Sequence, residues 1–167
     1  GMTVMGDGLK PLRTDPVFIS FFTKFDIATT GGLLLCVLTG AVLTIIVQSS
    51  SATIGLTMAL ATQGLLGFPA AMALVLGENI GTTITAELAT IGAASINSHR
   101  AARAHTMFNV LGVCMMLLIF PWFLEAIQWI TMTFMGAQPW DMQVNGEYPN
   151  VGRYLANGHT LFNLVNA

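Results

Sequence analysis

Four consecutive polar residues, Gln48-Ser49-Ser50-Ser51, lie between two apolar stretches of the sequence. Their amide and hydroxyl groups can bind a hard cation or an oxyanion. On one continuous helix the four side chains would be about 100° apart and would cover most of its circumference. A lipid-facing helix would leave some of these groups poorly paired, at a cost of about 1–3 kcal/mol each. We therefore predict a break in the helix that lets these side chains converge on one cavity.

A second polar cluster occurs in the segment VLGENIGTTITA, which spans Val75–Ala86. Gly77 and Gly81 tolerate backbone conformations that end a helix, because glycine lacks a Cβ atom. Asn79 and Thr82 are favourable N-caps for a helix that resumes after such a break. The sequence therefore predicts a second helix that is interrupted by a short stretch rich in oxygen atoms.

Broken helices inside a membrane have a recognised chemistry. The free N–H groups and partial positive charge at the start of a half-helix favour an anion. Freed carbonyl oxygens and side-chain oxygens favour Na+, and transporters form both kinds of site near the midplane of the bilayer. The two clusters contain neither soft ligands nor Lys or Arg, so a transition metal is disfavoured and an anion would need a bound cation. This pattern indicates cation-coupled anion transport.

The composition is that of a membrane protein. Hydrophobic residues make up 54% of the chain and charged residues 8%, whereas soluble domains carry roughly 25% charged residues. The stretch Ile27–Gly77 has no Asp, Glu, Lys or Arg, and as helix it would extend about 77 Å, against about 30 Å of hydrocarbon. This length fits two membrane segments or a hairpin that dips in and out. The net charge of −2 argues against a nucleic-acid partner.

The expected fold class is an all-α membrane protein with a broken, re-entrant helical hairpin, forming one half of an inverted-repeat transporter. The predicted order of segments is an amphipathic first helix segment over 1–28, a helical hairpin with the Gln48–Ser51 break over 29–67, a broken helix over 68–95, a polar basic loop over 96–106, a transmembrane helix over 107–131, an exposed loop over 132–154 and the start of another helix over 155–167.

A short sequence repeat occurs at the start of two predicted apolar helices. The segments RAHTMFNVLGV and ANGHTLFNLVNA share the pattern His-Thr-x-Phe-Asn, which aligns His105 and Asn109 with His159 and Asn163. Duplication is the favoured explanation. We interpret both histidines as interfacial residues that set the start of each helix, with a proton-carrying role as the alternative.

Three motifs in this order resemble the type II sodium–phosphate cotransporter family: QSSSAT (Gln48–Thr53), GENIGTT (Gly77–Thr83) and AHTMFN (Ala104–Asn109). The leading segment GMTVMGDGLKPL (Gly1–Leu12) is also similar to that family's first helix. The resemblance implies two inverted repeats, each with a Gln-Ser-Ser-Ser hairpin, that couple inward Na+ flow to phosphate uptake. This chain resembles the first repeat together with the start of the second.

The resemblance implies that Ser49, Ser50 and Ser51 bind phosphate. It also implies that Na+ is bound by oxygen atoms of Gln48, Ser50, Thr53, Asn79, Thr82 and Thr83. Glu78 is added to this sodium set from its position, because an acid at membrane depth is costly and usually functional. The alternative is that Glu78 caps a helix at the rim of the cavity.

The sequence therefore predicts a sodium-coupled inorganic phosphate symporter, or part of one, that crosses the cell membrane several times. Its expected partners are phosphate, the lipid bilayer and either a second copy or the remainder of the same transporter. Na+ is expected as coupling ion, with no cofactor and no further metal. The alternative is a membrane-embedded module that binds or senses phosphate without transport. An enzyme with a nucleophilic serine is disfavoured, because the sequence has no G-x-S-x-G motif.

Overall fold

The computed structural model describes residues 25–92 and 95–166, together with Pro16 and Ser20. Within these residues the chain is helical, with an isolated bridge between Val144 and Glu147 and no β-strand, which confirms the all-helical class. The predicted first helix segment over 1–28 lies mainly outside the described residues. The helices are α1 (Thr30–Val47), α2 (Ser50–Thr62), α3 (Phe68–Ala89), α4 (Ile96–Leu118), α5 (Phe120–Met135) and α6 (Val151–Val165).

The helices α1 and α2 form an antiparallel hairpin. Thr29 caps the start of α1, where its hydroxyl oxygen accepts the N–H of Gly32 at 3.0 Å. Near the turn, the hydroxyl groups of Thr44 on α1 and Thr53 on α2 lie 3.1 Å apart in a buried contact. Each helix thus returns along the other, and the turn of the hairpin falls at Gln48 and Ser49.

The helix α3 forms the centre of the fold. Its first half, Phe68–Leu76, is buried almost throughout, and Pro69 occupies the first turn, where its missing N–H needs no partner. α3 runs parallel to α1, because Gly77 lies against Val37 and Gly81 lies against Ala41. This helix therefore contacts both arms of the hairpin and provides a continuous wall for the rest of the chain.

The predicted break at Gly77–Gly81 is wrong, because α3 continues through it to Ala89. The glycines permit close helix contact instead. A Cβ atom on Gly77 would collide with the carbonyl oxygen of Val37, and one on Gly81 would lie 2.6 Å from the carbonyl oxygen of Ala41. On the other helix, a Cβ atom on Gly40 would collide with the carbonyl oxygen of Leu74. Small residues that let two backbones approach are typical of membrane helix pairs.

Two further segment predictions need correction. The region 96–106, predicted as a polar loop, belongs to α4, whose N-cap Ser95 accepts the N–H of Ser98 at 3.2 Å. The region 107–131, predicted as one transmembrane helix, is divided between α4 and α5 at Ile119. Pro121 lies in the first turn of α5, and proline cannot continue a preceding helix without the loss of a hydrogen bond.

Two of the described helices, α1 and α4, are long and apolar enough to cross a membrane. On α1, Leu34, Leu38 and Ile46 are exposed on the surface of the chain. Apolar side chains in such numbers on one helix surface suit contact with lipid or with another apolar surface. Membrane association is therefore supported by these two helices.

The helix α6 is attached to the core by the segment 136–150 that precedes it. The N–H of Tyr148 donates to the carbonyl oxygen of Thr62 at 2.8 Å, and the side chain of Gln63 donates to Glu147 at 2.9 Å. The rings of Phe68 and Tyr154 then meet edge to face with centroids 5.8 Å apart. α6 consequently starts beside the start of α3 and runs parallel to it.

We expect Gly77→Ala to lower the free energy of unfolding by about 1–3 kcal/mol, because the added methyl group must push α1 away from α3. The matched change Gly55→Ala on α2 should leave stability equal or raise it by about 0.5–1 kcal/mol, since open space surrounds that position. Thermal unfolding of the purified chain in detergent, followed by circular dichroism, measures both effects. Equal midpoints for the two variants would contradict the close contact.

Candidate functional site

The chain leaves the helix at the predicted polar cluster. Gln48 adopts a left-handed conformation, with φ of 56° and ψ of 24°, and its N–H donates to the carbonyl oxygen of Thr44 at 2.7 Å. Ser49 is extended, and its hydroxyl oxygen accepts the N–H of Ala52 at 3.4 Å. Two residues therefore separate α1 from α2, and Ser49 caps the second helix.

Hydrogen-bond donors are therefore concentrated at the start of α2. The first N–H groups of a helix have no partner within it, and they carry a partial positive charge. Ser50 and Ser51 belong to this first turn, and the hydroxyl groups of Ser49 and Ser51 lie 3.3 Å apart. This end of the hairpin is suited to an anion.

A cavity of about 440 Å³ lies beside the start of α2. Among the residues that the structure describes, those that line it come from four helices and are polar or aromatic, with no Asp, Glu, Lys or Arg. They are Ser50 of α2; Asn79, Thr82 and Thr83 of α3; His105, Phe108 and Asn109 of α4; and His159 and Asn163 of α6, with Asn166 just beyond it.

The wall formed by α3 presents oxygen atoms. Thr82 donates its hydroxyl hydrogen to the carbonyl oxygen of Glu78, and Thr83 donates to that of Ile80, each at 2.8 Å. The amide nitrogen of Asn79 donates to the carbonyl oxygen of Val75 at 2.8 Å. Because these donors are already used, the oxygen atoms of the three side chains remain as acceptors or cation ligands.

The opposite wall contains both copies of the His-Thr-x-Phe-Asn repeat. His105 and Asn109 come from α4, while His159 and Asn163 come from α6. The prediction that the two histidines set the start of their helices is wrong, since both lie within helices and line the cavity. The repeat was the sequence signal for this wall, but it did not show that the two copies meet.

A hydrogen bond joins the two walls. The side-chain oxygen of Asn79 lies 3.2 Å from Nε2 of His159. The amide nitrogen of Asn163 lies 3.0 Å from the same Nε2, so this ring nitrogen contacts side-chain amides of both α3 and α6. Asn163 donates to the carbonyl oxygen of His159 at 3.0 Å. His159 thus links α3 to α6 at the cavity.

The structure brings together part of the predicted site. Ser50, Asn79, Thr82 and Thr83 line the cavity. Gln48, Ser49 and Ser51 form or adjoin the turn of the hairpin but are not lining residues. Thr53 is buried, and its hydroxyl group bonds within the hairpin to the carbonyl oxygens of Ser49 and Ser50 at 3.2 and 3.0 Å.

Glu78 lies apart from the cavity lining. Its side chain is completely buried, and Oε1 accepts the hydroxyl hydrogen of Thr57 on α2 at 2.7 Å. Among the described residues, Oε2 has no hydrogen-bond partner. The carboxyl group therefore contacts the hairpin and not the lining of the cavity.

Comparisons with known proteins agree with the resemblance of the motifs. A family described as Na+/Pi-cotransporter matches residues 1–138. The uncharacterized protein YqeW of Bacillus subtilis is 46% identical over 80 residues, which is 48% of this chain and 26% of YqeW. The "Putative inorganic phosphate export protein YjbB" of Escherichia coli is 39% identical over 83 residues, 50% of this chain and 15% of YjbB. The human "Sodium-dependent phosphate transport protein 2C" is 36% identical over 98 residues, 57% of this chain and 16% of that protein.

The matched part thus covers 15% to 26% of the length of these three relatives. No solved structure matches the chain. The family description and the names of YjbB and of protein 2C refer to phosphate transport or export, whereas the name of YqeW states no function.

We expect Gln48→Val to lower the free energy of unfolding by about 1–2 kcal/mol, because a β-branched residue is strained in the left-handed conformation. Gln48→Gly should leave stability equal or higher, since glycine adopts this conformation freely. The comparison uses thermal unfolding in detergent, with Ser51→Val on the exposed first turn of α2 as control. If Gln48→Val unfolds at the same temperature as Gln48→Gly, the left-handed conformation of residue 48 is contradicted.

Proposed function

The chain belongs to the Na+/Pi-cotransporter family, and on this premise we propose that it supplies one half of the ion and phosphate site of a sodium-coupled phosphate symporter. The observation that carries the proposal is that Ser50 of the hairpin lines the same cavity as Asn79, Thr82 and Thr83 of α3. Hydrogen-bond donors at the start of α2 therefore lie at one side of a single cavity, and side-chain oxygen acceptors of α3 lie at another.

The phosphate would be held at the hairpin. The hydroxyl group of Ser50 and the N–H groups at the start of α2 donate hydrogen bonds to its oxygen atoms, with Ser49 and Ser51 adjoining. Phosphate carries more than one negative charge near neutral pH. The described residues that line the cavity include no Lys or Arg, so a cation bound nearby would balance this charge.

The Na+ would be held by hard oxygen ligands on α3. Asn79, Thr82 and Thr83 offer oxygen atoms whose neighbouring donors are already bonded to backbone carbonyl groups. Oxygen atoms of amide and hydroxyl groups are the ligands that hard cations prefer. We assign Gln48 and Thr53 a role in shaping the turn beside this site, since neither lines the cavity.

We expect Thr82→Val to reduce Na+-dependent phosphate uptake by about 10- to 100-fold, because one oxygen ligand to a charged ion is lost, at about 1.5–3 kcal/mol. Thr85→Val is the matched control. It removes a hydroxyl group on the same helix that bonds to a backbone carbonyl in the same way, at 2.7 Å, but does not line the cavity. Uptake of radiolabelled phosphate is measured in cells that express the complete reading frame, with expression checked by blotting.

Ser50→Ala should also abolish uptake, and replacement of Na+ by choline should remove the uptake of the unchanged protein. Equal loss of uptake in Thr82→Val and Thr85→Val would contradict the assigned cavity. Phosphate binding without flux in proteoliposomes would favour the sensing module, and flux only out of the cell would assign the protein to export.

A further inference from the structure

A second cavity, of about 300 Å³, lies at the far end of α2 from the proposed phosphate and Na+ site. Ala61 lines it, and along α2 this residue is about 17 Å from Ser50. The other lining residues come from the turn between α2 and α3, the segment 136–150 and the start of α6. We call it the aromatic cavity, because Phe68, Trp140 and Tyr148 line it.

The three aromatic rings are held by contacts within the fold. Phe68 is 2% exposed, and its ring centroid lies 5.3 Å from that of Trp140 with 36° between the ring planes. Phe68 also packs edge to face on Tyr154. The backbone hydrogen bond from Tyr148 to Thr62 fixes the third ring at the end of α2. The walls are therefore formed before any ligand binds, and the faces of such rings attract cations.

The aromatic cavity has an acid in its lining. Among the described residues that line it, Asp141 is the charged one. Asp141 follows Trp140 directly, and the N–H of Met142 donates to the carbonyl oxygen of Pro139 at 3.1 Å. This turn keeps the carboxylate and the indole ring on the same cavity. An anion would therefore be repelled there, and a cation would be attracted.

The other charges near the aromatic cavity have the same sign or a different direction. Glu147 precedes the lining residue Tyr148, and the side-chain amide of Gln63 donates to its Oε1 at 2.9 Å. Arg153 is exposed on α6, about 200° around the helix from the lining residue Val151. The charge around the cavity is thus mainly negative.

The chemistry of the walls selects the kind of cation. A hard metal ion needs several oxygen ligands, whereas the described side chains of the lining offer oxygen atoms at Asp141 and Tyr148. A primary ammonium group has three N–H donors that would each need an acceptor. A quaternary ammonium group has no N–H donor, and its methyl groups suit aromatic rings and apolar side chains such as Leu66 and Val151. The volume is at the small end for ligand cavities and suits one such group.

We propose that the aromatic cavity binds a quaternary ammonium group, with the three rings as its wall and the carboxylate of Asp141 as its counter-charge. Gly64 and Asp141 are exposed, so the cavity is accessible from the surface of the chain. The group arrives as the choline headgroup of a lipid or as a small solute such as choline, since both carry the same trimethylammonium group. The family match ends at residue 138, before Trp140, and the proposal does not rest on the proposed function.

The first test measures the binding of radiolabelled choline to the complete protein, purified in a maltoside detergent that has no choline headgroup. We expect saturable binding that tetramethylammonium displaces. The uncharged analogue of choline, in which carbon replaces the quaternary nitrogen, should displace it about tenfold less effectively or worse, because it has the same shape without the charge. The absence of saturable binding, or equal displacement by the uncharged analogue, would overturn the proposal without the use of any variant.

Two variants test whether choline binds in this cavity. Trp140→Leu removes the ring but keeps an apolar side chain, and it should weaken choline binding about tenfold. Its matched control is Trp129→Leu on the exposed surface of α5. Asp141→Asn changes an exposed residue and should weaken binding about two- to fivefold, with exposed Glu125→Gln as control. Unchanged binding in Asp141→Asn and Trp140→Leu, or an equal loss in the controls, would overturn the proposal.

Reconstitution into nanodiscs of two lipids separates the two sources of the group. Equal choline binding in phosphatidylcholine and phosphatidylglycerol nanodiscs would support a soluble ligand. Weaker binding in phosphatidylcholine alone would support the lipid headgroup, which then already occupies the cavity. The absence of choline binding in both kinds of nanodisc would overturn the proposal. These measurements need neither phosphate nor Na+, so their outcome is independent of the phosphate uptake that tests the proposed function.

Discussion

The close contact between α1 and α3 determines where the other parts of the site can lie. Gly40, Gly77 and Gly81 leave no room for a Cβ atom, so the two backbones touch directly. Apolar helices in lipid gain little hydrophobic free energy from association and depend on such packing instead. Because the helices run parallel, Thr44 near the end of α1 is held at Gly81. The turn that follows therefore places Ser50 beside the second half of α3.

The second constraint is that each hydroxyl group in an apolar setting needs a hydrogen-bond partner. The threonines of α3 find this partner within their own helix. Thr82, Thr83 and Thr85 donate to carbonyl oxygens three or four residues earlier in their own helix. This bonding lets a continuous helix contain several threonines without a break. At Gln48–Ser51 the helix ends instead, and Ser49 becomes the cap of the next helix. Two polar clusters of similar composition thus have different backbone conformations.

This difference explains how far the sequence could predict the fold. The apolar run between Thr29 and Gln48 predicted α1 to within one residue, because a cap and a polar cluster mark its ends. The interruption predicted at Gly77–Gly81 failed, since glycine permits both a break and a close helix contact, and only the partner helix decides between them. The region 96–106 was misjudged from its charges, although alanine and arginine favour helix and Ser95 is a good cap.

The lining of the cavity was predictable to the extent that it depends on local chemistry. Ser50, Asn79, Thr82 and Thr83 were selected for their oxygen atoms, and they line one cavity. The repeated His-Thr-x-Phe-Asn pattern was visible, but the placement of His105 and His159 in one cavity depends on the packing of α4 and α6 around α3. The position of Glu78 likewise depends on which face of α3 the hairpin covers. Contacts between elements distant in sequence leave no local pattern to detect.

The neutral lining of the cavity gives a physical reason for coupling in the proposed symporter. Within the described part of the chain, no lining residue carries a fixed charge, apart from what the two histidines can acquire by protonation. An ion that enters such a cavity alone loses hydration without gaining an opposite charge, which is costly at low dielectric constant. An anion at the start of α2 and a cation at the oxygen atoms of α3 would each lower the cost for the other. In the proposed symporter, joint occupancy would then follow from the neutral lining that the described residues form, because a lining lysine or arginine would let phosphate bind without Na+.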